Sequence, residues 1–374
     1  MSKIVISTVG TSLITNQIDR NCADEQNWFA QLNNYANEKF DLLPPVVAEI
    51  ISTLADRARA RLSKDNISQI RRLSAELNGI YGIYTGNLIQ GKSDIHYLIA
   101  TDTAQGETTA EILANFLRER EIININIKMP KGLSTSNTNS FAAGVDDLIT
   151  WLESEIVPMR SNYQVYFNLV GGFKSLQGYL NTLGMFYADK ISYIFEGESS
   201  ELITIPKLPI SIDLKQLQPH IVKLALLAEG DGVPRSEIVD LPEGLVTSID
   251  DRYLLSSWGL LIWQRTKQEL LGDKLLDFPG LVYQDKFRAD FERTREPFKR
   301  VKLQETLARV SYLLTTNRGG TQALVGGGLQ YSPLVGQNID HFRITQDLRV
   351  TCRPKAGTLI LYRYGEHQVN ESPV

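Results

Sequence analysis

Ile4-Val5-Ile6-Ser7-Thr8-Val9-Gly10-Thr11-Ser12 and, later, Val165-Tyr166-Phe167-Asn168-Leu169-Val170-Gly171-Gly172-Phe173-Lys174-Ser175 each run from an apolar strand into a small, polar, glycine-bearing loop. A buried strand that ends this way and enters a helix makes an anion site. Glycine lets backbone N–H groups approach a ligand, hydroxyls add donors, and the helix start adds partial positive charge. Two such loops in one sheet point to a ligand carrying several phosphates.

Around them, residues 1–210 alternate short apolar runs with helical periodicity. Strands are expected at 3–8, 79–84, 96–100, 124–129, 163–169, 191–195 and 201–205, and helices at 25–39, 45–62, 65–77, 107–119, 140–153 and 174–188. Strands apolar on both faces, such as Tyr97-Leu98-Ile99-Ala100, belong in a parallel sheet covered on both sides. The fold class is therefore α/β, with a Rossmann-like, mostly parallel first domain.

A third loop, Thr101-Asp102-Thr103-Ala104-Gln105-Gly106-Glu107, follows one of these strands. Its threonines Thr101 and Thr103, with Asp102 and Gln105, suit ribose hydroxyls or base edges, and a Thr or Asp before Glu107 equally suits an ordinary helix cap. The segment around Lys174 is not a Walker A loop: Phe173 separates glycine from lysine, and Phe167 stands where the first glycine belongs. No GxGxxG follows a strand, so neither an NTPase nor an NAD enzyme is indicated.

The chain has 374 residues, 43% of them hydrophobic and 22% charged, enough for two or three domains. Cys22 and Cys352 are the only cysteines and have no metal-ligand spacing, which fits a reducing cytoplasm. A strand begins at once with no charged leader, and no apolar run approaches the roughly 18 residues of a membrane span. No signal peptide and no membrane contact are expected. The net charge of −4 hides an asymmetry: residues 286–374 carry 14 Lys/Arg against 8 Asp/Glu. A basic terminal region points to a polyanion, or simply to a solvated face.

Pro206-Lys207-Leu208-Pro209 reads as a domain exit. Residues 211–277 then give helix His220–Ala228, a Gly-Asp-Gly turn, a short helix Arg235–Val239, a small wing Leu245–Leu255 and a helix Ser257–Leu271. This helical or winged-helix-like segment lacks a basic recognition helix, which favours a connector or dimerisation module over a DNA reader. From residue 278 come a strand (Leu281–Tyr283), a basic helical region from Lys286 to Thr315 broken near Pro297, a glycine-rich loop, and strands His341–Thr345, Arg349–Arg353 and Thr358–Tyr364. That is a small α+β unit spanning 278–374.

The pairing of Thr8-Val9-Gly10-Thr11-Ser12-Leu13 with Asn168-x-x-Gly171-Gly172-Phe173-Lys174, each after a strand, resembles the CARF domain, the sensor module of CRISPR-associated ancillary proteins. The resemblance covers about residues 1–210. It implies a homodimer that binds a cyclic oligoadenylate, most often cyclic tetra-adenylate, across its two-fold axis; a symmetric ring suits a two-fold interface. Gly10, Thr11, Ser12, Asn168, Gly171, Gly172, Phe173 and Lys174 would then hold the ring, with Thr101, Asp102 and Thr103 as further candidates.

The last residues decide the output. HEPN nucleases need an Arg at a fixed short distance before a His, and none of His96, His220, His341 or His367 meets it. Phe342-Arg343-Ile344-Thr345-Gln346-Asp347-Leu348-Arg349-Val350, with Thr358 through His367, instead resembles the RelE/ParE toxin superfamily. A CARF–RelE fusion resembles the CRISPR-associated mRNA interferases, which implies cleavage of mRNA on the ribosome without a metal or catalytic cofactor. It also implies contact with the ribosomal stalk protein.

Such cleavage deprotonates a 2′-hydroxyl, stabilises a dianionic phosphorane and protonates the 5′-oxygen. Arg343 and Arg349 suit the phosphorane, His367 suits proton transfer near neutral pH, and Arg363 adds charge. No Glu precedes Arg343, where some relatives carry a catalytic carboxylate; Tyr331 and Ser332 stand there. Two other readings remain: a transcriptional regulator using 211–277 as a winged helix, and a gyrase-directed toxin of the ParE kind.

Overall fold

A computed structural model of the chain describes residues 1–194, 201–334 and 337–374. It divides into two compact units, Met1–Ile210 and Ser211–Val374. Phe195, the end of the expected strand 191–195, lies outside the described residues.

The first unit is built on six strands: β1 (Ser2–Thr8), β2 (Ile95–Ile99), β3 (Ile125–Lys128), β4 (Tyr163–Asn168), β5 (Lys190–Ile194) and β6 (Leu202–Pro206). Their order is β3-β2-β1-β4-β5-β6, all parallel except the antiparallel edge strand β6. The α/β, Rossmann-like reading holds. From β1 the chain winds outward through β2 and β3, then returns to β4 on the other side. The carboxyl ends of β1 and β4 thus flank the switch point, where ligands of open α/β sheets sit.

Central β1 buries Ile4, Val5 and Ile6 completely, as a strand covered on both faces must. Helix Pro45–Lys64 begins with proline in its first turn and buries Val47, Ile50, Ile51, Leu54, Ala55, Ala58 and Leu62 at helical spacing.

One expected strand is a helix. Residues 79–84 lie largely in Ala75–Ile83, capped by Ser74, whose Oγ accepts from Leu77 N at 3.2 Å. An apolar run of this length carries no decisive period, and here the cap before it decides. The helix expected over 65–77 breaks at the same serine into Ile67–Leu73 and Ala75–Ile83. The helix expected over 25–39 is confined to Trp28–Asn34.

Past this helix, Tyr84 joins a buried polar group. Its hydroxyl donates to Asp94 Oδ2 at 2.9 Å and lies 2.9 Å from His96 Nε2, while Lys3 N donates to Asp94 Oδ1 at 2.7 Å. His96 is wholly buried, and burial pulls its imidazole down to about 4, so it is neutral.

The second unit holds a three-stranded sheet, β7 (Val233–Pro234), β8 (Val246–Ile249) and β9 (Arg252–Leu255), ordered β7-β9-β8. It also holds a five-stranded sheet, β10 (Leu281–Tyr283), β11 (Ser332–Pro333), β12 (Asp340–Arg343), β13 (Arg349–Lys355) and β14 (Thr358–Gly365), ordered β10-β14-β13-β12-β11. β10 runs parallel to β14, and the other pairs are antiparallel.

Helices Asp285–Arg293 and Pro297–Thr316 follow β10, with the break beside Pro297. Residues 211–277 and 278–374, read from sequence as connector and terminal unit, share one core running from Leu217 and Leu224 through Trp263 to Phe287, Leu307 and Phe342. The second short helix of the winged-helix reading is a three-residue turn, Arg235–Glu237.

Candidate functional site

At the switch point the two glycine loops close on each other above a carboxyl group. Gly10 donates its N–H to Glu76 Oε1 at 2.8 Å, and Ser74 Oγ donates to Oε2 at 2.7 Å. Glu76 is fully buried, and burial pushes its carboxyl above the ordinary range against these hydrogen bonds.

Gly171 lies so close that a Cβ there would sit 2.2 Å from Glu76 Oε1. Gly172 has φ +96°, and its Cβ would meet Thr8 Cβ at 2.8 Å. Thr8 Oγ1 donates to the Gly171 carbonyl, and Gln177 Nε2 donates to the same oxygen at 2.9 Å. Gly171 and Gly172 are required by the close approach of Glu76 and Thr8, and the Gly10 N–H points inward rather than toward a ligand.

Asn168 is also turned inward. It is buried, paired in register with Ser7, and donates from Nδ2 to Ser7 Oγ at 3.1 Å and to the Glu76 carbonyl at 3.0 Å. It ties β4 to β1 and to helix Ala75–Ile83. Thr103 caps helix Ala104–Arg118 by accepting from Gly106 N at 3.2 Å, and Thr101 Oγ1 lies 3.0 Å from Thr103 Oγ1. Asp102 pairs with Lys39 at 2.8 Å. The capping alternative is therefore what Thr103 performs, with the Thr101 hydroxyl bonded to it.

The open rim consists of half-buried Thr11, Gly172 and Phe173 with exposed Ser12 and Lys174. Lys174 opens helix Lys174–Tyr187, adding its charge to the positive end of that helix.

In the second unit, the strand register pairs Arg343 with Arg349 and Arg349 with Gly365, one row across β12, β13 and β14. Directly opposed residues share a sheet face. Arg349 is 6% exposed, and its Nε has no partner among the described residues. His341 lies two residues before Arg343. Burial, with the charges of Arg349 and Arg343, lowers its imidazole against a hydrogen bond at Ser332.

Arg363 is differently placed. Its Nε and Nη2 donate to Asp290 at 2.7 and 3.3 Å, and Asp290 is 7% exposed and also accepts from Tyr364 N at 3.2 Å. This fork is occupied and structural. His367 is exposed at the start of the turn His367–Asn370.

Sequence reading missed three carboxylates: Glu76, Asp290 and Glu229. Glu76 and Asp290 carry no local mark of burial. Glu229 carries a local mark of a different kind, because it ends helix Ile221–Glu229, where the helix dipole disfavours negative charge. Burial, followed by the nearby charge of Glu305, holds its carboxyl at about 7.

Together, sheet order and loop placement define the first unit as a Rossmann-like fold with glycine loops at its switch point. Residues 71–208 of this unit match the family model described as CRISPR-associated protein (Cas_APE2256). Over that segment, which takes in Glu76, Asn168 and the Gly171-Gly172 loop, the chain is similar to CRISPR-associated proteins. Among the described residues no helix is long and apolar enough to cross a membrane.

Proposed function

We propose that the chain is a CRISPR-associated effector whose first unit senses a cyclic oligoadenylate, cyclic tetra-adenylate by preference, and whose second unit cleaves mRNA on the ribosome. The observation that carries the reading is the pair of glycine loops at the carboxyl ends of β1 and β4, within a unit similar to CRISPR-associated proteins. Thr11, Ser12, Gly172, Phe173 and Lys174 form the ring-binding rim, and a homodimer presents two such rims to one symmetric ligand.

The ribonuclease reading draws support from the element order of residues 281–365, a strand, two helices and a meander, and from the Arg343–Arg349 row. Two guanidinium groups on one sheet face suit a phosphorane that gains negative charge in the transition state. His367 is the candidate for proton transfer to the leaving oxygen.

The test is a translation extract programmed with a defined mRNA, incubated with the full-length protein and individual cyclic oligoadenylates. Cleavage within codons that depends on one ring size and falls with Arg349→Ala supports the reading. Intact mRNA with every ring refutes it. Inhibition of DNA supercoiling would instead indicate the gyrase-directed reading, and specific duplex DNA binding the transcriptional one.

A further inference from the structure

A cavity of about 210 Å³ in the second unit is lined by Glu229, Lys302, Glu305, Thr306, Arg309 and Arg343, among others. Lys302, Glu305, Thr306 and Arg309 come from helix Pro297–Thr316 at spacings that put them on one face. Arg343 enters from β12, and Glu229 from the end of helix Ile221–Glu229.

The charges are unequally engaged. Glu305 accepts from Lys267 at 2.8 Å and from Lys302 at 2.7 Å. Burial works to raise its carboxyl, and these two lysines overcome that and lower it. Glu229, Arg309 and Arg343 have no side-chain hydrogen bond or ion pair among the described residues. A free carboxylate thus shares a pocket with two free guanidinium groups, beside a second carboxylate already neutralised.

The position of Glu229 is firmly set. The turn that follows it is clamped to helix Pro297–Thr316 by Tyr312, whose hydroxyl accepts from Asp231 N at 2.9 Å and from Arg252 at 2.8 Å and donates to the Gly232 carbonyl at 3.1 Å. The groups facing Glu229 are Glu305, which repels its negative charge, and Arg309, Lys267 and Lys302, which favour it. A carboxyl held near neutral pH is suited to taking up a proton in a reaction at that pH.

We infer that this pocket holds the scissile phosphodiester of RNA and that Glu229 is the general base. The inference rests on the reading of the second unit as a ribonuclease. The Glu229 carboxylate takes the 2′-hydroxyl proton, and the 2′-oxygen bonds to phosphorus. The bond from phosphorus to the 5′-oxygen then breaks, and that oxygen takes a proton from the general acid, for which His367 is the candidate. The products are a 2′,3′-cyclic phosphate and a 5′-hydroxyl. Arg309 and Arg343 hold the phosphoryl oxygens as negative charge accumulates. The carboxylate missing ahead of Arg343 is supplied from residues 211–277.

The test compares Glu229→Gln and Glu229→Asp with wild type in the ring-activated translation assay. It also measures binding of a short 2′-O-methylated single-stranded RNA, which cannot be cleaved. Glu229→Gln is expected to lower kcat by about 10²–10⁴-fold with KM unchanged, and to abolish the limb of the pH–rate profile that rises through about pH 7. Glu229→Asp is expected to keep that limb at reduced rate, which shows that the pocket is folded. Arg309→Ala and Arg343→Ala are expected to weaken binding of the methylated RNA about tenfold or more.

Glu229→Gln cleaving at the wild-type rate with the same pH limb overturns the base assignment and leaves the ribonuclease reading standing. A wild type that binds the methylated RNA through both arginines yet cleaves nothing overturns the ribonuclease reading, and the base role with it. RNA binding indifferent to both arginines overturns the pocket.

Discussion

The backbone N–H of Gly10 and the carboxyl of Glu76, 66 residues apart, meet at 2.8 Å beneath the loops that form the rim of the first unit. A buried carboxyl here takes the place of water as acceptor for the Gly10 N–H and the Ser74 hydroxyl. Those donors lose their acceptor if the side chain is truncated.

Glu76→Ala is therefore expected to cost about 2–4 kcal/mol, since it strands the Gly10 N–H and opens a cavity. Glu76→Gln keeps an acceptor of the same shape and is expected to be near neutral at low pH. Because the folded carboxyl titrates above its unfolded value, the native state binds more protons and wild-type stability falls as pH rises past about 4.5. The glutamine variant should gain on wild type over that rise. Urea unfolding of the full chain between pH 4 and 8, followed at the first unit, measures both effects.

His96 gives the opposite sign. Its folded value near 4 lies below the unfolded 6.5, so between those values the unfolded chain binds the extra proton and stability falls with pH. The loss is expected to approach 3 kcal/mol once the pH reaches 4. A curve for His96→Gln that keeps the same slope through this window would contradict the assignment of a neutral, buried imidazole.

Lys174 is exposed, and among the described residues its side chain makes no hydrogen bond or ion pair. Lys174→Ala should leave the melting temperature unchanged. It should weaken cyclic tetra-adenylate binding at least tenfold, given about 1.5–3 kcal/mol for a charge-assisted hydrogen bond. Titration calorimetry at two salt concentrations reads the loss directly, and an unchanged affinity would remove Lys174 from the rim.

Arg363 should behave as a structural residue. Arg363→Ala leaves the Asp290 carboxylate 7% exposed without its main partner, at an expected cost of about 3–5 kcal/mol. Adding Asp290→Asn should recover much of that stability. A double-mutant cycle by thermal unfolding shows the coupling; additive effects would argue against it.

The strand–loop pattern of residues 1–210 carries its fold openly, because parallel strands buried on both faces read as apolar runs ending in glycine. The exception, residues 79–84, is an apolar run whose helical state was set by Ser74 outside it. Within the site, the glycines were legible from their type alone. The partners that make them necessary, Glu76 and Thr8, depend on contacts between distant segments and were not. Asn168 stands at the strand end where polarity suggested a site, and there its side chain braces the scaffold. The boundary near residue 277 looked natural because turn residues cluster there. The shared core across it arises from apolar faces whose mates lie many residues further on.

That shared core bears on where the chain can be cut. Trp263, Leu224 and Tyr312 interlock residues on both sides of position 277. A coding segment starting at residue 278 would leave Phe287 and Leu307 without their covering helices. A piece that keeps its own interior has to begin at residue 211 rather than at 278, because the unit is longer than the strands and helices at its end.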